Sequence, residues 1–284
     1  MLFAGKLKAL RQATYCNGIG QIFLRFCGET ILLRLTYTVI TVVLRGDNLE
    51  KGIGSFTLVS GIIGIVAFFC FFFSGQIGLN HIEKIICSFI MFAFGFMCVF
   101  SNCAKTADDL KAKKKMWISF VVFLILYTVI LFDFTLIDDT IGRDISNIFS
   151  LEPSRLKEYV KSNTNFIPFK TVKLFISAYR SETLSVSAIV ENIVGNFFVM
   201  MPFALFMPCV FKRINSKLRF FIFCFITVVL IELLQFVFLT GSTDIDDLIL
   251  NVAGGMTAYL ILQISAVKEI ISRFTFGLFG GEQG

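Results

Sequence analysis

The sequence holds one histidine, four prolines and few charges, and each shortage removes a class of protein. With His81 as the only imidazole, in the loop between the first two apolar runs, a histidine-based metal centre is excluded and no external Ser or Cys nucleophile has a His base. Charged residues make up 16% of the chain, well below the roughly 25% of ordinary soluble domains. The apolar share is 56% and the mean hydropathy is +0.81, which a soluble globular protein does not show. The four prolines and 21 glycines stand among 36 phenylalanines, leaving long helix-compatible apolar runs and no support for disorder, collagen or a repeat solenoid. No glycine-rich loop followed by Lys and Ser or Thr occurs, so phosphate cradling of that kind is absent. Of the eight cysteines, Cys70, Cys87, Cys98, Cys209 and Cys224 lie in apolar runs, and no two stand at metal-ligand spacing. They read as small apolar residues. The net charge of +6 is too diffuse to imply a nucleic-acid partner, and no cofactor or metal is expected.

What the chain has in abundance is apolar sequence in runs of about 20 residues, the length that crosses a bilayer. Six such runs occur, at Ser55–Phe73, Ile85–Phe100, Met116–Phe134, Ser187–Phe211, Leu218–Leu239 and Leu248–Val267. They predict an all-α, polytopic transmembrane helix bundle. A shorter run, Ile31–Leu44, carries Arg34, Thr38, Thr41 and Arg45 along one helical stripe. Basic residues concentrate at Lys105 and Lys111–Lys115, and again at Lys212, Arg213, Lys217 and Arg219. Both clusters are expected on the cytoplasmic side, together with the basic N-terminal stretch from Lys6 to Arg25 and the tail carrying Lys268 and Arg273. Only an even number of crossings then fits before Lys105, which makes Ile31–Leu44 an interfacial helix or a re-entrant piece, a genuine seventh span being the alternative. No cleavable signal peptide is expected, since mixed polar sequence follows the basic start. The organisation is therefore an N-terminal extension over residues 1–115 with two spans, a four-span core over 116–267, and a cytoplasmic tail over 268–284. The core includes a long external segment, residues 135–186.

From Asp133 to Glu182 that segment has seven basic and seven acidic side chains, so it is neutral overall. Its stretch Asn165-Phe166-Ile167-Pro168-Phe169 is too apolar for a free linker and is expected on the membrane surface or dipping into it. A helix over Ser154–Ser162 is expected within it.

Ionisable and amide side chains inside spans are costly, so their depth is informative. Glu191, Asn192 and Asn196 stand near the external end of the fourth run, Glu232 and Gln235 near that of the fifth, and Asp244, Asp246, Asp247 and Asn251 at the start of the sixth. At about 1.5 Å per residue, Asn196, Glu232 and Asn251 reach one depth, roughly 10–12 Å below the span ends. Gly195, Gly254, Gly255 and Ala258 offer small faces for close helix approach. Two readings fit. In one, the amides and Glu232 join helices and the aspartates cap a helix N-terminus. In the other, Asn192, Asn196, Glu232, Gln235, Asp244, Asp246, Asp247 and Asn251 line an outward-facing pocket that binds a ligand; a divalent cation there would be Mg²⁺ or Ca²⁺ before Zn²⁺.

Three linked blocks carry a resemblance. They are Asn165-Phe166-Ile167-Pro168-Phe169; Glu191-Asn192-Ile193-Val194-Gly195-Asn196 followed by Pro202-Phe203 and Pro208; and Ile231-Glu232-Leu233-Leu234-Gln235 followed by Asp244-Ile245-Asp246-Asp247-Leu248, Asn251 and Gly254. In these blocks, between about Trp117 and Gln263, the chain resembles the VanZ-like family of bacterial membrane proteins. The resemblance implies a multi-pass protein of the bacterial cell membrane with an accessory role in resistance to the glycopeptide teicoplanin, and it carries over no catalytic residue. Two departures stand out: Gly241 occupies a position where many members have Arg, and Asp138 and Asp139 stand where many have another, so an external Arg would come from Arg143, Arg155 or Arg180. The partners expected are membrane lipids together with a lipoglycopeptide or a cell-wall lipid precursor. An envelope-lipid enzyme, a metal-assisted phosphotransferase or hydrolase using Glu232, Asp244 and Asp247, is the alternative, with a small transporter third.

Overall fold

The computed structural model of the chain describes residues 49–74, 78–79, 81–137, 153–180 and 186–280. The Ile31–Leu44 stretch, the basic N-terminal residues, and Asp138, Asp139 and Arg143 lie outside the described residues. The chain divides into two compact units, residues 1–107 and 108–284.

In the first unit, α1 (Leu49–Phe72) and α2 (His81–Ala104) form an antiparallel hairpin. Small residues let the backbones approach: a methyl group at Gly61 would lie 3.3 Å from the Cys98 sulfur, and one at Gly64 would lie 3.3 Å from the Gly95 nitrogen. Thr57 and Ser101 share a hydroxyl hydrogen bond of 2.6 Å near one end. Away from this seam, Leu58, Ile62, Ile65, Phe69, Ile85 and Phe89 are exposed, the surface that a hydrocarbon solvent would accept.

The second unit begins with α3 (Asp109–Phe132), whose N-terminus is capped by Asp108. The carboxylate accepts from the backbone N–H groups of Leu110 at 2.9 Å and Lys111 at 3.1 Å, and the Lys111 bond in particular holds the Asp108 carboxyl below its ordinary range. The helix therefore starts seven residues before the expected span, and Lys111 and Lys113–Lys115 sit on its first two turns and not in a loop. A π-turn over Asp133–Ile137 ends it. Then come α4 (Pro153–Ser162), the expected surface helix with proline at its first position, and α5 (Lys170–Arg180).

The expected fourth span is two helices, α6 (Val186–Val199) and α7 (Phe203–Val210). Pro202 has no N–H to continue the ladder, and three-residue turns replace it: Met201 donates to the Phe198 carbonyl and Ala204 to that of Met201, each at 3.0 Å. The Tyr127 hydroxyl of α3 donates to the Val199 carbonyl at the break. After a 3₁₀ turn, Lys212–Ile214, follow α8 (Lys217–Phe238), α9 (Ile245–Leu262) and α10 (Ser265–Phe274). The sixth expected span thus starts earlier, at Ile245, and ends at Leu262; residues 265–267 belong to the separate amphipathic α10.

Five helical stretches among the described residues are long and apolar enough to cross a membrane: Ile82–Ala104, Asp109–Ile137, Asn192–Val210, Lys217–Phe238 and Ile245–Leu262. The apolar part of α1, Thr57–Phe72, is shorter.

The core of the second unit gathers Leu131 from α3, Met200, Phe203, Ala204 and Met207 from the α6–α7 break, Phe220, Cys224 and Val228 from α8, and Tyr259 from α9. Phe220 and Tyr259 stack at 4.7 Å. Helix α9 packs so tightly that a methyl group on Gly254 would overlap the Phe197 carbonyl of α6, and one on Gly255 would meet the Cys224 sulfur at 3.0 Å. Gly195, expected to serve the same purpose, does not: it is exposed and a methyl group there would touch no described residue.

The packing gives this unit two polar ends. The Trp117 indole donates to the Val210 carbonyl at 3.3 Å, and the Gln263 side-chain amide to the Asn215 side-chain oxygen Oδ1 at 3.3 Å, so the lysines of α3, the Lys212–Arg219 cluster and α10 share one end. The acidic block and α5 lie at the other.

Candidate functional site

At that other end, two residues from the segment between α3 and α6 pair with two from the α8–α9 turn. Strand β1 (Thr164–Asn165) runs parallel to β2 (Thr243–Asp244), Thr164 opposite Thr243 and Asn165 opposite Asp244. The Thr243 N–H donates to the Asn163 carbonyl at 2.9 Å, and the Asn163 amide to the Gly241 carbonyl at 3.2 Å. Gly241 has φ of +64°, a left-handed turn that an arginine would enter only with strain. The substitution noted in the sequence therefore matches the local backbone.

Asp244 is the N-cap of α9 and the hub of this junction. One carboxylate oxygen accepts from the Asp246 N–H at 2.8 Å and the Asn165 amide at 2.9 Å, the other from the Thr171 hydroxyl. Its own N–H donates to Glu232 of α8 at 3.0 Å. Asp246, almost wholly buried, reaches the N-terminus of α5 and accepts from the backbone N–H groups of Phe169, Thr171 at 2.8 Å and Val172 at 3.1 Å. A carboxylate at a helix N-terminus satisfies donors that have no partner within the helix. The Asn165 side chain also closes an Asx turn, its oxygen accepting from the Ile167 N–H at 3.1 Å.

Asp247 points elsewhere, taking a 2.5 Å hydrogen bond from the Asn196 amide of α6, while Asn251 donates to the Asp247 carbonyl at 2.7 Å. Asp247, Glu232 and Asn196 are half-buried; Asn192 is exposed on the same helix as Asn196. Gln235 is buried and turned to α3, donating to the Thr135 carbonyl at 3.0 Å. The structure thus links Glu232, Asp244 and Asp246 into one chain of hydrogen bonds, and Asn196 of α6 with Asp247 and Asn251 of α9 into a second. The side chains of Glu191 and Arg155 lie outside the described residues.

Two junction residues were absent from the predicted site. Asn165 stands inside a block singled out in the sequence, two residues before Ile167, which is the signature of an Asx turn. Thr171 had no signal; only the approach of α5 to Asp244 reveals it. Among the described residues no three His, Cys, Asp or Glu side chains are grouped to hold a metal ion.

These features define a helical-bundle membrane protein whose polar end is knotted by an acidic block. Residues 120–266, more than half of the chain, match the family described as VanZ/LLP1, and the chain belongs to that family. It is also similar to Protein VanZ of Enterococcus faecium, with 33% identity over 75 residues that make up 26% of this chain and 46% of that protein. The match therefore spans under half of that relative's length. No solved structure matches the chain.

Proposed function

We propose that this chain is an accessory protein of the bacterial cell envelope that lowers susceptibility to teicoplanin. In this reading it engages a lipid-tailed ligand, either the lipoglycopeptide itself or a cell-wall lipid precursor, at the outer leaflet. The N- and C-termini and the lysine-rich end then face the cytoplasm, following the positive-inside rule, and the acidic end faces outward. The observation that carries the proposal is the pair of half-buried carboxylates, Glu232 and Asp247, on neighbouring helices beside Asn196 and the exposed Asn192. Asp244, Asp246, Gln235 and Asn251, whose polar atoms bond within the protein, hold the frame around them. The enzymatic alternative needs Asp244 as an acid-base or ligand group, and no observation favours it, since that carboxylate is engaged by Asn165, Thr171 and the Asp246 N–H.

The test is growth with and without teicoplanin, measured beside the amount of protein in the membrane. Glu232→Gln and Asp247→Asn keep shape and remove charge; both are expected to abolish protection at normal membrane levels, while Glu158→Gln on the exposed surface of α4 leaves protection intact. Protection that survives both core substitutions refutes the ligand role of these carboxylates. Wild-type protein that confers no protection refutes the resistance role.

A further inference from the structure

A second feature of the polar end uses neither Glu232 nor Asp247. On α5, Lys170, Lys173, Leu174 and Ser177 follow one another at offsets of three, four and seven, so they share a face. With Ile167 and Pro168 of the preceding turn they line a groove of about 430 Å³. Among the described residues no carboxylate lines it, and neither lysine forms an ion pair. Around it the surface is apolar: Phe166 is 71% exposed, Ile167 62%, Leu174 58% and Phe169 54%. Such exposure in a water-facing loop is costly, whereas lysines beside projecting aromatic and aliphatic side chains are the composition of an element lying in a bilayer interface.

The loop that projects these side chains is held in place. Phe169 has φ of +63°, a conformation a bulky residue rarely adopts, and Asp246 fixes it by accepting the Phe169 N–H. Asp246 also occupies the N-terminus of α5. An anion in the groove would therefore be met by lysine side chains and not by the helix's own N–H groups.

We propose that this groove binds the phosphate headgroup of an anionic bilayer lipid, Lys170 and Lys173 contacting the phosphate while the acyl chain runs over Ile167 and Leu174. The charge complementarity is direct: two cations without a counter-ion among the described residues, on an apolar floor. The long lysine stems lie along the apolar surface and keep their ammonium groups at phosphate level.

The experiment uses the full chain in nanodiscs of mixed phosphatidylcholine and phosphatidylglycerol, with a photoactivatable phosphatidylglycerol as probe and crosslinks mapped by mass spectrometry. Crosslinks are expected in the peptide spanning residues 166–177, and the matched phosphatidylcholine probe is expected to label it far less. The double variant Lys170→Gln/Lys173→Gln is expected to lose roughly tenfold or more of that labelling, whereas Lys170→Arg/Lys173→Arg retains it, which separates loss of charge from loss of fold. Equal labelling by the two probes, or labelling that survives removal of both charges, would show ordinary bilayer contact and overturn the proposal. Full displacement by excess inorganic phosphate would also overturn it, by making the groove a site for free phosphate.

Discussion

Replacing Asp246 by asparagine tests the junction between α5 and α9 at its centre. The side chain is 1% exposed, and its two oxygens divide three backbone donors, Phe169 on one and Thr171 and Val172 on the other. Asparagine keeps one acceptor oxygen. Turned to serve Thr171 and Val172, it presents its NH₂ to the Phe169 N–H, so one bond is lost and the remaining two lose their charge assistance. Hydrogen bonds to charged groups contribute about 1.5–3 kcal/mol and neutral ones about 0.5–1.5. Taking the low end of each range, the net loss is about 3.5 kcal/mol, which at about 1.36 kcal/mol per decade is a more than hundredfold rise in local opening. Hydrogen exchange on the detergent-solubilised chain reads this directly: the Thr171 and Val172 amides are expected to exchange about a hundredfold faster, while Val228 in the middle of α8 stays protected. If Thr171 and Val172 exchange within about threefold of wild type, the carboxylate does not anchor α5, and the account of Asp246 is wrong.

Two further predictions concern the second unit. Gly254→Leu is expected to reduce folded protein sharply, because any side chain there collides with the Phe197 carbonyl, and overpacking of this kind costs about 1–3 kcal/mol or more; Gly195→Leu, at a position with open space, is expected to be tolerated, with size-exclusion profiles in detergent deciding both. The Asp108 carboxyl titrates below its ordinary value because the Lys111 N–H favours its charged form, so its capping contribution is present above about pH 4 and is lost as pH falls through the lowered folded value. Carboxyl-carbon NMR is expected to show that low titration, and Asp108→Asn to remove it.

Much of the membrane architecture could be read directly from the chain. Runs of about 20 apolar residues leave the backbone no means of satisfying its polar groups in lipid except by helix formation. The positions of the five helices long and apolar enough to cross a membrane follow from that local constraint. A fixed rise per residue places Asn196, Glu232 and Asn251 at one expected depth, but Glu232 meets the Asp244 N–H at the start of α9, seven residues before Asn251. The partner choices were not legible. Helical spacing places Asp244, Asp246 and Asp247 together, but says nothing of which carboxylate meets which donor.

The sequence by itself determined an all-α bundle with polar side chains collected at one end, since hydropathy and helical period are properties of neighbours along the chain. Tertiary structure decided what those side chains do. Asp246 caps a helix that begins 76 residues before it, Asn165 pairs with Asp244 across 79 residues, and Gln235 reaches back 100 residues to Thr135. It also decided which glycine matters, because Gly254 meets a carbonyl of α6 and Gly195 meets no described residue. The physical reason is that hydrogen bonds and close packing act over about 3–4 Å, and which groups come within that range depends on how separate helices dock.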